Sequence, residues 1–265
     1  METGWLADTP LDDNLIRQFL VNQADYVDIF AEHFGGTTAR TDDVAMAGSR
    51  CLAAYFNEAT LLRPLITDTD PVLDAIDEFY AASDAPGWII LSAWPTPALQ
   101  SRGWELVGHP AFVLRTPGAP LREPAERPGV ALEVRRATTP EDVLAAERVM
   151  ADGYPMEEAQ GHPGGVFPET LGTSAISVRV ASVDGADVAV GLGHVAHGCV
   201  NLCGAATLPA ARRTGAWGAL VRARVADAPD LPAAAFTSDF SRPGFEHLGF
   251  VSVFRFTMWM QARPH

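Results

Sequence analysis

The chain contains no lysine; all 19 of its basic residues are arginine. Lysine nucleophiles and lysine Schiff bases are thereby excluded. Positive charge as a whole is scarce, because 33 acidic residues leave a net charge of −14. A surface of that sign repels polyanions, so neither nucleic acid nor an anionic membrane surface is an expected partner. Cysteine is scarce too. Cys51, Cys199 and Cys203 are too few for a disulfide framework and lack a second ligand pair for zinc, so no metal is expected. No apolar run reaches the ~18–20 residues of a membrane span, and the opening Met1-Glu-Thr-Gly-Trp5 is not a basic, apolar leader. The expected location is the reducing cytoplasm. The arginine-only, Ala/Pro-rich composition suggests a GC-rich bacterial genome.

What is present is apolar material for sizeable cores, 48% of 265 residues, enough for two mid-sized domains. Residues 116–129 carry Pro117, Gly118, Pro120, Pro124, Pro128 and Gly129 and read as a linker between residues 1–115 and 130–265. In the first part, residues 11–34 have helical periodicity and end at Gly35-Gly36. Short strands are expected at 44–47, 51–56 and 59–65, a helix over 71–82 opened by Pro71, and a strand at 88–93. In the second part a strand at 130–135 precedes a helix that starts at Thr139. An irregular stretch, 154–172, holds Met156, Glu157, Glu158, His162 and Phe167. Residues 176–183 and 188–197 form a hairpin about Asp184-Gly185, followed by a strand at 199–207 and a helix at 217–226. The class is α/β.

The loop between that last strand and helix organises the chain. Residues 208–220 contain Arg212, Arg213, Thr214, Gly215 and Gly218 and open straight into a helix. Unpaired amide groups at a helix N-terminus favour an anion, and glycine lets one come close. Two readings fit: an ordinary strand-to-helix turn with surface arginines, and a pyrophosphate cradle reinforced by Arg212, Arg213, Arg222 and Arg224.

The stretch Gly204-Ala-Ala-Thr-Leu-Pro-Ala-Ala-Arg-Arg-Thr-Gly215 resembles the acyl-coenzyme A signature of the GNAT superfamily of N-acetyltransferases. Arg212 and Gly215 match its first two fixed positions, while Trp217 stands where the family prefers a small residue. Further on, Ser238-Asp-Phe-Ser-Arg-Pro-Gly-Phe-Glu-His-Leu-Gly-Phe250 resembles the family's closing helix and strand. The resemblance implies acyl-CoA, most simply acetyl-CoA, as co-substrate. Its pyrophosphate would lie on the backbone of Thr214, Gly215, Ala216, Trp217 and Gly218, with Arg212 and Arg213 beside it. Its thioester would lie near Leu208 and Thr207, and Ser238 would stand at a polar pantetheine contact. The region 154–172 would cover the acceptor as a lid. At the position of the family's glutamate base this chain has Asn201, and at that of its tyrosine acid it has Phe245.

Residues 92–114 align without a gap beneath 238–260, at an offset of 146. Ser92 meets Ser238, Pro97 meets Pro243 and Gly103 meets Gly249. Two GNAT-like units are therefore expected, each a mixed, mostly antiparallel twisted sheet flanked by helices. The first has Ile66-Thr-Asp-Thr-Asp-Pro71 in place of the arginine-glycine loop, so it reads as a degenerate copy in which Asp68 and Asp70 repel a pyrophosphate. Other candidates for acid-base or acceptor contacts are His194, His197 and Asp239, each with an ordinary packing, surface or capping role as alternative. The expected function is acyl transfer, acetyl first, from CoA to an amine of a small molecule, which the acidic composition would allow to be cationic. The rival is a catalytically weak acyl-CoA sensor or partner-binding module. The oligomeric state, monomer or homodimer, is left open.

Overall fold

The computed structural model describes residues 15–122, 131–154 and 156–263; residues 123–129 of the expected linker lie outside them. In chain order the elements are α1 (Leu15–His33), β1 (Thr37–Arg40), β2 (Val44–Gly48), β3 (Glu58–Leu61), α2 (Pro71–Ala82), β4 (Gly87–Ser92), β5 (Glu105–Gly108) and β6 (Ala111–Arg115). Then follow β7 (Leu132–Arg136), α3 (Pro140–Gly153), β8 (Ile176–Val183), β9 (Ala186–Ala196), β10 (Cys199–Asn201) and β11 (Ala205–Thr207). The chain closes with α4 (Ala216–Val225), β12 (Ala233–Thr237), α5 (Arg242–Leu248), β13 (Val251–Arg255) and β14 (Thr257–Ala262). No helix among the described residues is long and apolar enough to cross a membrane.

Local chemistry accounts for most boundaries. Pro71 opens α2 behind Asp70, whose side chain accepts from Val72 N–H. Thr139 caps α3 in the same way, accepting from Asp142 N–H. Asp184 and Gly185 both take positive φ, as a two-residue hairpin turn between β8 and β9 demands. The expected strand at 51–56 is instead a turn ending in a 3₁₀ segment, Ala54–Phe56. The Asn57 side chain supplies the reason. Its amide donates to Cys51 O and Gly87 O, and its oxygen accepts from Ser49 N–H, so these groups need no ladder partner.

Two sheets form, and their membership cuts across the chain order. One runs β1-β2-β3-β4-β14-β5, and the other runs β13-β6-β12-β10-β9-β8-β7 with β11 added on β9. The last strand of the chain, β14, thus lies between β4 and β5, while β6 lies between β12 and β13. β6 and β14 occupy corresponding places in the two sheets. The pairing registers correspond: Glu105 faces Met260, Leu106 faces Trp259 and Gly108 faces Met258 across one pair. Shifting each residue by 146 gives Val251 facing Leu114, Ser252 facing Val113 and Phe254 facing Phe112, the pairs of the other, with the bulge at the same step.

Helix α1 joins the two sheets. It packs on β1, β2 and β3 of one and on β9 and β10 of the other. Phe30 stacks on Phe56 at 4.4 Å, and both belong to a core shared with Met150, Phe167, Val190 and Leu192. Such burial is worth about 2 kcal/mol for each large apolar side chain, which makes this seam a core rather than a docking contact.

Candidate active site

The expected strand at 199–207 is broken. Asn201 faces His194 and Ala205 faces Gly191, so the chain takes four steps on one side for three on β9. That β-bulge is where the sheet splits. β10 pairs in parallel with β12 through Asn201 opposite Ala234, and Leu202 N–H still donates to Ala234 O at 2.8 Å. Beyond that point β11 follows β9 alone, while β12 runs on beside β6. Leu208 N–H donates to Val188 O and Leu192 N–H to Gly204 O, so Leu208 N–H and Gly204 O turn toward β9. By alternation the backbone of Ala205 and Thr207 faces the open side of the V. Thr207 Oγ1 is buried without a partner. Leu208 N–H is engaged by Val188 O, and its carbonyl accepts from Ala211 N–H.

A buried cation holds the bulge. Arg224, expected in the surface patch, is instead 1% exposed. Its Nη1 donates to Leu192 O (2.8 Å) and Cys203 O (3.1 Å), and its Nε donates to Leu220 O (3.1 Å). Burial lowers its pKa to about 10, so it keeps its charge at neutral pH, and Nη2 has no partner. Leu192 O and Cys203 O converge on Arg224, so the Gly204 N–H, trans to Cys203 O in the same peptide, points away from β9 and has no acceptor among the described residues. Glycine at 191 and 193 makes room: a Cβ on Gly191 would stand 2.8 Å from Arg224 Cζ.

The loop from β11 to α4 has the features of an anion cradle. Arg213 (φ 68°) and Gly215 (φ 96°) are left-handed, and no side chain caps α4. The amides of Ala216, Trp217 and Gly218 thus lack an intrahelical partner. Arg212 and Arg213 are exposed and make no ion pair among the described residues; Thr214 is half-buried and donates its hydroxyl to Ala211 O. A Cβ on Gly215 would meet only Leu132, at 3.8 Å, so the approach is open. The Trp217 indole turns away from this loop onto α5, edge-on to Phe245 at 4.8 Å and against Gly244. Its bulk therefore does not fill the cradle. The corresponding helix start in the first part, at α2, is closed: Asp70 is buried, caps Val72 N–H and is gripped by Arg63 Nη1 and Nη2 at 2.8 and 2.9 Å. The Arg63 bonds hold the Asp70 carboxyl well below the usual range. β3 also stays paired with β4 from Glu58 to Thr60, so no V opens there.

Between the two sheets lies a cavity of about 360 Å³, reached from the V. Asn201, Asp239, Trp217 and Ser238 line it; His194, Thr207, Leu208, residues 212–216 and Gly218 do not. His194 is buried with Nδ1 3.2 Å from Asn22 Oδ1, and burial lowers its pKa, which marks a packed neutral histidine. His197 lies in the turn after β9 and pairs with Asp25 at 2.6 Å, away from the cavity. Asp239 stands at the exposed mouth, bound to Arg255 (2.7 Å) and Arg242 (3.4 Å). It does not cap α5, whose N-cap is Ser241. Among the lining residues Asp239 is the sole carboxylate, so the acidic surface does not extend into the cavity. Ser238 is exposed beside Ser241, and Phe245 is packed on Trp217 and Phe250.

The first part supplies Gln23, Tyr26, Tyr55 and Phe56 to the wall, residues that the motifs did not point to. Tyr26 OH is buried and unpartnered, and burial raises its pKa well above the usual tyrosine range. The one available signal was polarity in an apolar stripe: Gln23 falls between Phe19 and Val27 at helical spacing on α1. Residues 164–167 of the stretch expected as a lid are tied to α3 and to the turn after β2. The buried Glu147 carboxylate accepts from Gly164, Val166 and Phe167 N–H, and Leu52 N–H donates to Gly165 O.

Solved structures share this architecture. A GCN5-related N-acetyltransferase from Kribbella flavida matches with a TM-score of 0.65 at 17% identity, covering 95% of this chain and 97% of its own. A conserved protein of unknown function from Staphylococcus epidermidis matches at 0.65 and 12% identity, covering 87% and 96%. A tandem GNAT protein from the clavulanic acid biosynthesis pathway matches at 0.51 and 13% identity, covering 96% and 97%. No protein-family model matches the chain, and no curated protein does. The chain has the fold of the GNAT acetyltransferases.

Proposed function

We propose that the protein is an acyl-CoA-dependent acyltransferase that moves acetyl from acetyl-CoA to an amine of a small molecule. Residues 130–265 carry the one cofactor site. Residues 1–115 are a duplicated unit that has lost its own site and exchanges its last strand with the second. The observation that carries this reading is the asymmetry of the two helix starts. At α4 an uncapped N-terminus stands beside an open V, whereas at α2 Asp70 and a continuous β3–β4 ladder occupy the same places. Free thiols at Cys51, Cys199 and Cys203, all buried, suit a reducing cytoplasm.

The residues fit CoA. Thr214, Gly215, Ala216, Trp217 and Gly218 would hold the pyrophosphate by their backbone, with Arg212 and Arg213 adding charge, and Ala205 and Thr207 would hold the pantetheine arm. The cofactor supplies an activated thioester. Attack of the amine nitrogen on its carbonyl carbon forms the C–N bond and breaks the C–S bond; the proton lost by nitrogen ends on the CoA sulfur. Gly204 N–H is the free donor for the developing oxyanion. Arg224 strengthens it, because its bond to Cys203 O polarises the same peptide group. Tyr26, which lines the cavity and is kept protonated by burial, would donate a hydrogen bond to the leaving thiolate where Phe245 has no hydroxyl. An open cavity reaching Asn201 favours an enzyme over a sensor.

Calorimetric titration with acetyl-CoA tests the reading. Micromolar binding by the wild type that is abolished in Gly215→Glu is expected, since the new carboxylate enters the cradle. No binding by the wild type would overturn it.

A further inference from the structure

A chain of three buried amide and carboxyl groups runs from the first part of the molecule to the cavity. Asn201 Nδ2 donates to Gln23 Oε1 at 2.8 Å. Gln23 Nε2 donates to Glu58 Oε2 at 3.0 Å, and Thr60 Oγ1 donates to Glu58 Oε1 at 2.6 Å. All three members are 2% exposed or less. Asn201 and Gln23 line the cavity, and Glu58 lies behind them.

An ionised carboxylate can only accept, so it dictates the direction of every bond in the chain. Gln23 must present its NH₂ to Glu58 and hence its oxygen to Asn201. Asn201 must then present its own NH₂ to Gln23. The group left over is Asn201 Oδ1, an acceptor with no partner among the described residues. The same position in the GNAT-like reading is where a glutamate base would stand, and an amide there cannot take a proton.

We propose that Glu58 and Gln23 are positioning residues that hold Asn201 Oδ1 toward the cavity as the hydrogen-bond acceptor for an N–H of a neutral, weakly basic amine. This inference rests on the acyltransferase reading above. Neutrality follows from the wall: its carboxylate, Asp239, is already bound to Arg255 and Arg242 at the mouth. An ammonium ion would therefore enter a site whose wall offers it no free carboxylate and includes the charged Arg224. Tyr26, Tyr55, Phe56 and Tyr154 give the body of the acceptor an aromatic surface. An amine that is already neutral needs no base to begin its attack, which accounts for an amide where a carboxylate is customary.

The device has a pH signature. Burial pushes the Glu58 carboxyl up to about 7, against the bonds from Thr60 and Gln23. The titratable groups facing it are Tyr26 on α1, Tyr80 on α2 and Cys203 at the bulge, all kept neutral by burial. Once protonated, Glu58 can also donate, and the orientation of Gln23 and Asn201 is no longer enforced.

The full-length protein and Glu58→Gln are compared by three measurements. Acetyl-CoA titration is expected to give affinities within twofold of each other; absence of binding in the wild type would count against the acyltransferase reading instead. In ¹⁵N–¹H spectra the side-chain NH₂ signals of Gln23 and Asn201 are expected to move together with a midpoint near pH 7 in the wild type and to be flat in Glu58→Gln. With a panel of an arylamine, tyramine and spermidine, turnover is expected for the arylamine first. Its kcat should fall at least tenfold in Glu58→Gln with the acetyl-CoA KM unchanged. Asn201 signals that ignore the Glu58 titration, or a preference for spermidine, would overturn the proposal.

Discussion

Two glycines on β9 allow a sharp test of how the bulge is held. Gly191 and Gly193 both abut Arg224, and neither has a positive φ, so backbone strain does not separate them. What separates them is the part of the arginine that each touches. A Cβ at 191 would stand 2.8 Å from Cζ and 3.1 Å from Nε and Nη1. A Cβ at 193 would stand 3.4–3.6 Å from the aliphatic stem, an ordinary contact. The guanidinium cannot swing aside, because its Nη1 and Nε are bonded to three backbone carbonyls and it is buried on every side. Overpacking of this kind costs about 1–3 kcal/mol, whereas an unstrained Gly→Ala change gains about 0.4–1 kcal/mol through the unfolded chain. Gly191→Ala should therefore be less stable than the wild type and Gly193→Ala at least as stable. At about 2–4 °C per kcal/mol in a chain of this size, the two melting temperatures should differ by roughly 3–16 °C. A second consequence concerns ligand. Displacing Arg224 frees Leu192 O and Cys203 O and lets the peptide between Cys203 and Gly204 turn its N–H to Leu192 O, which closes the bulge and should weaken acetyl-CoA in Gly191→Ala alone. Equal stability of the two variants would refute the account of Arg224 as the strut of the splay.

Glu58 also predicts a pH-dependent stability. Its pKa rises from 4.5 to about 7 on folding, so between those values the native state holds a proton that the unfolded chain has released. The stabilisation is complete below pH 4.5 and lost as pH rises through 7, about 3 kcal/mol in all. Denaturant unfolding at pH 5 and 8 should show a loss larger by that amount in the wild type than in Glu58→Gln; parallel slopes would refute it. Residues 130–265 produced alone lack β6, which separates β12 from β13, so the fragment should fail to give a folded monomer by circular dichroism and size exclusion. A stable monomeric fragment would count against the exchanged strands.

The sequence carried the parts of this structure that depend on neighbours along the chain. The helix at Pro71–Ala82 follows from a proline, an aspartate cap and apolar residues at helical spacing. The Asp184-Gly185 turn and the left-handed Gly215 follow from the few residues that adopt positive φ. Pairing partners were not legible, because a period of two says which face of a strand is buried but not which strand lies beside it. Nothing local in β6 or β14 says that each belongs in the other sheet. The bulge was within reach: Gly204, isolated in an apolar run, is the kind of residue that marks one. The chain from Glu58 through Gln23 to Asn201 was not, since its members are separated by 35 and 178 residues and meet only through α1.

The asymmetry of the two halves has a physical logic. An open V leaves backbone groups unpaired, a cost borne by a protein only where something else will satisfy them. In the first half no such gap opens: β3 pairs with β4 from Glu58 to Thr60, and Asp70 with Arg63 fills the helix start with the chain's own charge. What the first half keeps is all that the second cannot make for itself. It gives β6, without which β12 and β13 have no common neighbour, and it gives the Gln23 and Glu58 that orient Asn201. Under the proposed function, a first unit without a cofactor site is free to serve as the acceptor wall of the second, and β6 and β14, each seated in the other sheet, tie that wall to the V.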